Sequence, residues 1–194
     1  LNIGQTMNIF YLHHDQDTCA KWHNDKHCVK MILEYAQLMS TAHRVLDGEL
    51  YLDKTANNRN IKRWRLADNH MEEMLYKASH VNHPSGLWTR ASDKNYDWLH
   101  TLFVSLCDEY TYRYGKIHLT DQKFRVLLKQ PPINIPSNVP FTEPTPAMPD
   151  ECKIIGDSIA SYHKYYKENK THLDAWKNRP KPDFYEENYV YNYT

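Results

Sequence analysis

The most regular pattern of apolar positions lies in the first quarter of the chain, where apolar residues fall on most sides of a helix. This spacing predicts one long helix that starts at Asn24 or Asp25, runs to Leu46 and stops at Asp47-Gly48. The polar residues of the segment recur at spacings of four, four, three, four and three, and therefore share one face of that helix: Lys26, Lys30, Glu34, Gln37, Thr41 and Arg44.

Shorter patterns predict a mainly α fold, a compact helical domain with a short extended N-terminal segment and a proline-rich loop. The run MNIFYL, which begins at Met7, indicates a strand or an extended segment, and residues 49–66 indicate an exposed hairpin or loop with a turn at NNRN. The prolines between Pro131 and Pro149 predict an ordered extended loop. Further helices are predicted from an Asp17-Thr18 cap to Trp22 and over residues 68–79, 92–114, 121–129, 158–170 and 171–177.

A chain of 194 residues fits one domain, predicted over residues 7–179, with an aromatic tail over residues 180–194. Residues 1–6 are expected to be an upstream extension or a foreign remnant. The formal net charge is zero, so any site for a polyanion must come from local clustering of basic residues. The four cysteines form no CxxC pair, which favours free thiols in a reducing cytoplasm. Since no apolar run reaches membrane-spanning length, we expect no membrane partner.

The polar face of the long helix has two interpretations. It can be the solvent side of an amphipathic helix, with Lys30 and Glu34 as a surface ion pair. It can also line a cleft, where reduced dielectric shifts pKa values and lets lysine and carboxylate groups do acid–base work. On the second interpretation the catalytic candidates are Lys30, Glu34, Asp25 and Lys26, and the substrate-binding candidates beside them are His23, His27, Gln37 and Arg44.

Two later segments add candidate binding residues. HVNHPSGLW is a loop between helices that offers His80, Asn82 and His83, and its alternative interpretation is a simple helix-to-helix turn. KTANNRNIKRWR holds five basic residues and one tryptophan without an acid. Such a composition suits phosphate contacts and base stacking, although a solvated surface loop has it too. Its candidates are Arg59, Lys62, Arg63, Trp64 and Arg65.

His23 and His27 are four residues apart, a spacing at which two imidazoles on a helix can hold one metal ion. His13, His14 and Asp15 could supply further ligands. Twelve histidines make such a pair easy to obtain by chance, and no glutamate follows the first histidine as it does in a zinc protease. We therefore assign no metal ligands, and a His-ligated metal hydrolase stays an alternative.

The chain resembles a family of small proteins encoded by tailed bacteriophages, including those of cyanobacteria. The resemblance covers Met7 to about Tyr185 and is carried by DKHCVKMILEYAQLMSTAHRVLDG, IKRWRL, HVNHPSGLW, NYDWL, DEYTYRYGK, TPAMPDE and SYHKYYK. It implies a phage origin and a location in the host cytoplasm, and it brings no assigned activity.

A more remote resemblance is to the phage endonuclease V type of pyrimidine-dimer DNA glycosylase, a small all-helical enzyme. The order of MNIFYL, an acidic residue at Asp25, HVNHPSG, DEYTYRYG and NRPKPDFY is similar. Enzymes of this type attack the sugar C1′ with the α-amine of an N-terminal threonine, form a Schiff base and use a carboxylate to assist. This chain departs from them at the amine, and a lysine, Lys26 or Lys30, would have to replace it.

These observations lead to the expectation of a DNA- or nucleotide-directed enzyme of the glycosylase/lyase type that needs no cofactor. The alternative is a non-enzymatic phage accessory protein that binds a nucleotide signal or a host protein.

Overall fold

The computed structural model describes residues 7–191, and residues 1–6, the predicted extension, lie outside them. The fold is mainly helical, as predicted. Its α-helices are α1 Gln16–Trp22, α2 Asp25–Asp47, α3 Asn69–Met74, α4 Pro84–Thr89, α5 Asp93–Tyr114, α6 Leu119–Phe124 and α7 Ser158–Asn169. Strands β1 Glu49–Lys54 and β2 Asn60–Arg65 form a two-stranded sheet, and short 3-10 turns cover Asp150–Cys152, Thr171–Leu173 and Asp183–Tyr185.

The long helix α2 forms where the apolar pattern predicts it, because local signals define both of its ends. The side chain of Asn24 caps the first turn by accepting a hydrogen bond from the backbone N–H of His27 at 2.9 Å. Gly48 follows the last turn, and an added Cβ there would lie 2.4 Å from the carbonyl oxygen of Arg44. Only glycine therefore lets the chain leave the helix this closely and enter the hairpin.

The core lies between α2, α5, α7 and the extended segment at residues 7–12. Phe10 of that segment stacks on the His27 ring, with centroids 4.0 Å apart, and also contacts Tyr166 of α7. Helix α5 packs against α2 with its apolar side and is capped by Ser92 and by Gly115 in the left-handed conformation, with φ +68°. The MNIFYL run is therefore an extended, buried segment and not a strand.

The predicted hairpin over residues 49–66 is confirmed as an antiparallel pair in which Leu50 lies opposite Trp64. The helix predicted over residues 68–79 is wrong beyond Met74. Three carbonyls that a continuing helix would need, those of Glu72, Leu75 and Tyr76, instead accept hydrogen bonds from the Arg44 guanidinium. The chain therefore leaves the helix and runs as a loop to α4.

Smaller differences occur at three other helices. Helix α1 is capped by Asp15, two residues before the predicted cap, and α6 begins earlier and ends earlier than the predicted helix over residues 121–129. Residues 171–177 form only one 3-10 turn. There the carbonyl of Ala175 accepts from the N–H of Asp25 at 2.8 Å, and the Trp176 indole donates to the Trp22 carbonyl at 2.9 Å. These contacts hold the segment against the start of α2.

The aromatic segment after residue 179 packs onto the helices as far as it is described. Phe184 is fully buried and stacks on His163 with ring centroids 3.9 Å apart. Burial of such an aromatic ring contributes about 2–3 kcal/mol, so this segment adds to the core. Within residues 7–191 no helix is both long enough and apolar enough to cross a membrane.

Candidate functional site

The middle of α2 forms one wall of a pocket of about 430 Å³, which we call the α2 pocket. The other walls come from the extended N-terminal segment and from the loop that follows α3. The polar face of α2 thus meets the loop that carries His80. The pocket is lined by Met7, Lys30, Leu33, Glu34, Gln37, Ser79 and His80.

Lys30 and Glu34 form an unequal ion pair in this pocket. Lys30 Nζ lies 3.4 Å from Glu34 Oε1, and the side chains are 39% and 8% exposed, respectively. The second carboxylate oxygen of Glu34 is buried and has no hydrogen-bond partner among the described residues. Burial raises the pKa of Glu34, and the Lys30 ammonium partly opposes this shift. Such a carboxyl group exchanges a proton with a neighbouring amine more readily near neutral pH than an exposed one does.

The polar face of α2 does not point into bulk solvent along its whole length. Lys26, near the start of the helix, is exposed, but Glu34, Thr41 and Arg44 are buried. The Ser79 backbone N–H donates to Thr41 Oγ1 at 3.2 Å, which ties the loop after α3 to this face. The solvent-side interpretation is therefore wrong for the buried half of the face.

A second concavity of about 630 Å³, the hairpin groove, runs between β2 and the same loop. Arg63 spans it by donating from Nη1 to the Ala78 carbonyl at 2.7 Å. The groove shares Ser79 and His80 with the α2 pocket, so the two concavities meet at these residues. It is lined by Asn60, Ile61, Lys62, Arg63, Trp64, Ala78, Ser79, His80, Val81 and Asn82.

His80 occupies a backbone conformation that few residues other than glycine adopt, with φ +49°. Its carbonyl accepts from the N–H of His83 at 2.9 Å, which closes a tight turn. The His80 side chain is exposed where the two concavities join. Residues held in such conformations cluster at binding and active sites, which supports a functional role for His80.

The structure brings together half of the predicted site residues. Lys30, Glu34, Gln37 and His80 line the α2 pocket, and Lys62, Arg63, Trp64 and Asn82 line the hairpin groove. Arg59 and Arg65 lie outside both, and the Arg65 guanidinium instead stacks over the Tyr51 ring at 4.5 Å. His83 caps α4 by accepting from the Ser85 N–H through Nδ1 at 3.1 Å. Arg59, Arg65 and His83 were predicted to bind substrate. The structure places Arg59 in the connection between β1 and β2, Arg65 at the end of β2 and His83 at the N-terminal cap of α4.

Asp25 and Arg44, predicted as catalytic and substrate-binding residues, lie in fixed networks away from the pocket. Asp25 Oδ1 accepts from Arg113 Nη1 at 3.0 Å and from the Lys177 N–H at 2.8 Å. The Arg44 guanidinium is buried and donates to four backbone carbonyls and to the Glu72 carboxylate at 2.7 Å. Because Asp25 and Arg44 are already engaged in ion pairs and hydrogen bonds within the protein, we infer structural roles for both.

His23 and His27 lie in the aromatic core and do not reach either concavity. His23 uses both ring nitrogens, Nδ1 with the Cys19 carbonyl and Nε2 with the Tyr35 hydroxyl, each at 2.7 Å. Burial lowers the pKa of His23 to about 4. His27 hydrogen-bonds the Tyr166 hydroxyl at 2.7 Å, and burial lowers its pKa as well. Both imidazoles are therefore neutral at pH 7 and act as packing groups.

The metal alternative gains no support from the geometry. Within residues 7–191 no three histidine, cysteine, aspartate or glutamate side chains come together as ligands for a metal ion. All four cysteines are buried free thiols.

Sequence reasoning missed Ser79, Met7 and Lys170. Ser79 and Met7 line the α2 pocket, and Lys170 lies near Lys26 and Lys30. Ser79 falls inside the predicted helix over residues 68–79, which ends at Met74 in the structure. Lys170 is distant from α2 along the chain, so the spacing of residues in the sequence does not reveal that it lies near Lys26 and Lys30.

Comparison of the chain with protein-family models, with curated proteins and with solved structures finds no match in any of the three. Any proposal of function therefore rests on the geometry of the α2 pocket and the hairpin groove.

Proposed function

We propose that this protein is a DNA- or nucleotide-directed enzyme of the glycosylase/lyase type, which holds its substrate in the hairpin groove and attacks the glycosidic carbon from the α2 pocket. One observation carries the proposal. A half-exposed amine, Lys30 Nζ, lies 3.4 Å from the buried carboxylate of Glu34 in a pocket that joins a basic, tryptophan-containing groove. The phage origin and the host-cell location that the resemblance implies belong to the same proposal.

The Lys30–Glu34 pair supplies the two groups that this chemistry needs. Transfer of a proton from the Lys30 ammonium to the Glu34 carboxylate leaves a neutral amine. The amine attacks C1′ of the sugar while the bond from C1′ to the base breaks, and the base departs with that electron pair and takes up a proton. Opening of the sugar ring at C1′ then gives a Schiff base between C1′ and Lys30. The chemistry uses side chains alone and no cofactor.

The hairpin groove supplies the contacts to the rest of the substrate. Lys62 is exposed and Arg63 is half-buried along β2, so both offer positive charge for phosphate oxygens. Trp64 offers a flat face on which a base can stack. Asn82 in the hairpin groove and Gln37 in the α2 pocket can donate and accept hydrogen bonds.

Borohydride trapping tests the proposal. Wild-type protein is incubated with an oligonucleotide that contains one abasic site, and sodium borohydride reduces any Schiff base to a stable adduct. We expect an adduct with the wild type and with Lys167→Ala, which removes an exposed lysine of α7, and none with Lys30→Ala. Absence of the wild-type adduct, or an equal yield from Lys30→Ala, would contradict the enzymatic proposal.

A second candidate function is retention of a nucleotide without chemistry. Gln37, Asn82 and Trp64 are hydrogen-bonding and stacking groups that do no acid–base chemistry, and this favours recognition by itself. A nucleotide that binds tightly and is recovered unchanged, with no trapped adduct, would support this function over the first.

A further inference from the structure

The end of α7 lies against the first turns of α2, where His27 Nδ1 and the Tyr166 hydroxyl form a hydrogen bond of 2.7 Å, and this contact places three lysines near one another. Lys26 and Lys30 project from α2, and Lys170 follows the last residue of α7. Lys170 is half-buried, and its ammonium lies 4.9 Å from the centroid of the Tyr165 ring. We call Lys26, Lys30 and Lys170 the lysine cluster.

The positive charge of the lysine cluster lowers the pKa of one of its own members, Lys170, and that of the nearby His27. Burial lowers the pKa of Lys170, and the charges of Lys30 and Lys26 lower it further. The pKa of His27, which follows Lys26 in α2, is lowered first by burial and then by His23 and by the three lysines of the cluster. The lysine charges therefore act on both Lys170 and His27, and in each case they disfavour a further positive charge.

The acidic groups nearby do not balance the lysine cluster. Among residues 7–191, neither Lys26 nor Lys170 has a carboxylate oxygen within 4.0 Å, the limit for an ion pair. Glu34 alone pairs with a member of the cluster, Lys30. Three ammonium groups against one carboxylate leave two positive charges uncompensated, and His27 is neutral at pH 7.

The helix ends do not change this balance. The N-terminus of α2 adds roughly half a positive charge next to Lys26, and the C-terminus of α7 adds roughly half a negative charge next to Lys170. The two contributions offset each other, so the excess of two positive charges stays.

We propose that the lysine cluster binds the terminal phosphate of a nucleotide or of a phosphorylated DNA end, with the adjoining sugar in the α2 pocket. This inference deepens the proposed function and rests on it. A phosphate monoester carries about −1.5 to −2 charges at pH 7, which matches the uncompensated charge, whereas an internal phosphodiester carries only one. Lys30 belongs to both the cluster and the pocket, so a phosphate at the cluster places its sugar next to Glu34.

Competition binding tests the inference. The four deoxynucleoside 5′-monophosphates and their nucleosides compete with a fluorescent single-stranded oligonucleotide, and anisotropy reports the displacement. We expect at least one monophosphate to compete ~10-fold better than its nucleoside on the wild type, a difference of about 1.4 kcal/mol. Lys170→Met and Lys26→Met, which keep the aliphatic stem, should each reduce the ratio to ~3-fold or less, whereas Lys167→Met keeps it.

Oligonucleotides with a 5′-phosphate or a 5′-hydroxyl distinguish a DNA end from a free nucleotide. Equal competition by monophosphate and nucleoside on the wild type, or a ratio that survives both Lys170→Met and Lys26→Met, overturns the inference. The outcome is separable from that of borohydride trapping. A trapped adduct without any phosphate preference refutes the phosphate site alone, and a lysine-dependent phosphate preference without an adduct refutes the enzymatic function alone.

Discussion

Replacing Glu34 by methionine should stabilise the protein, although Glu34 lies in an ion pair. The substitution keeps the length of the side chain and removes a buried carboxylate, one oxygen of which has no hydrogen-bond partner among the described residues. Replacing Lys30 by methionine should have the opposite effect, because it removes the charge that offsets the burial of Glu34. The two variants of one ion pair should therefore change stability in opposite directions.

The magnitudes follow from the unequal burial of the two side chains. A buried polar atom without a hydrogen bond costs about 1–3 kcal/mol, while a helix ion pair with one exposed partner contributes about 0.3–0.5 kcal/mol. Glu34→Met should thus raise the free energy of unfolding by about 1–2 kcal/mol, or roughly 3–6 °C in Tm for a domain of this size. Lys30→Met should lower it by more than the pair itself contributes, about 1 kcal/mol or more at pH 7.5, because it leaves the buried Glu34 carboxylate without a compensating charge.

Urea denaturation of both variants at pH 7.5 and pH 5.0 measures these changes. A carboxyl group with a raised pKa in the folded state favours folding at low pH and loses this contribution as the pH rises, so the Lys30→Met defect should shrink at pH 5.0. If Glu34 and Lys30 were a surface pair, both variants would lower stability by a few tenths of a kcal/mol. That result, or a loss of stability in Glu34→Met, would refute the reasoning about the α2 pocket.

Further predictions concern the core and the hairpin groove. Burial lowers the pKa of His23 and of His163 to about 4, so the unfolded chain takes up protons first and stability falls as the pH drops from about 6.5 towards 4, by ~1.4 kcal/mol per pH unit for each imidazole. Urea denaturation at several pH values between pH 7 and pH 5 gives the free energy of unfolding as a function of pH. In His163→Gln this free energy should change less steeply with pH, by about one bound proton, and an unchanged dependence on pH would contradict the prediction. Arg44→Met should lower the free energy of unfolding by about 3 kcal/mol or more, because several buried carbonyls lose their donor; a change below 1 kcal/mol would argue against its structural role. Trp64→Ala should weaken oligonucleotide binding by ~1–3 kcal/mol in anisotropy titrations, whereas Arg65→Ala, outside the groove, should bind like the wild type.

The parts of the fold that follow from short-range signals could be predicted from the sequence. Asn24, Ser92 and Gly115 are capping residues with local geometry, and the structure has a helix boundary at each of them. The two helices that fail to form as predicted, over residues 75–79 and 171–177, share one cause, which is competition from a distant segment. Arg44 takes the carbonyls that would extend α3, and the contacts of residues 175–177 with the start of α2 replace a terminal helix.

The candidate site was predictable in its helical part and less so elsewhere. The spacing of Lys30, Glu34 and Gln37 fixes their common face, and these residues do line one pocket. Burial along that face was not predictable, because it depends on the loop that Thr41 and Arg44 hold. In the sequence, Asp25, His23 and His27 are as plausible site residues as Lys30 and Glu34. In the structure they hydrogen-bond to Arg113, Tyr35 and Tyr166, and these contacts indicate a structural role.

The polar face of α2 makes two kinds of contact along its length: its buried end holds the loop that follows α3, and its middle lines the α2 pocket. At its buried end Thr41 accepts from the backbone N–H of Ser79, and Arg44 donates to the carbonyls of Leu75 and Tyr76 at the start of that loop. The loop carries His80 in a strained conformation, and His80 lines the same pocket as Lys30 and Glu34. One helix thus holds both the Lys30–Glu34 pair and the loop that faces it across the α2 pocket. This arrangement explains why a helix with such an apolar surface contains a continuous row of polar residues.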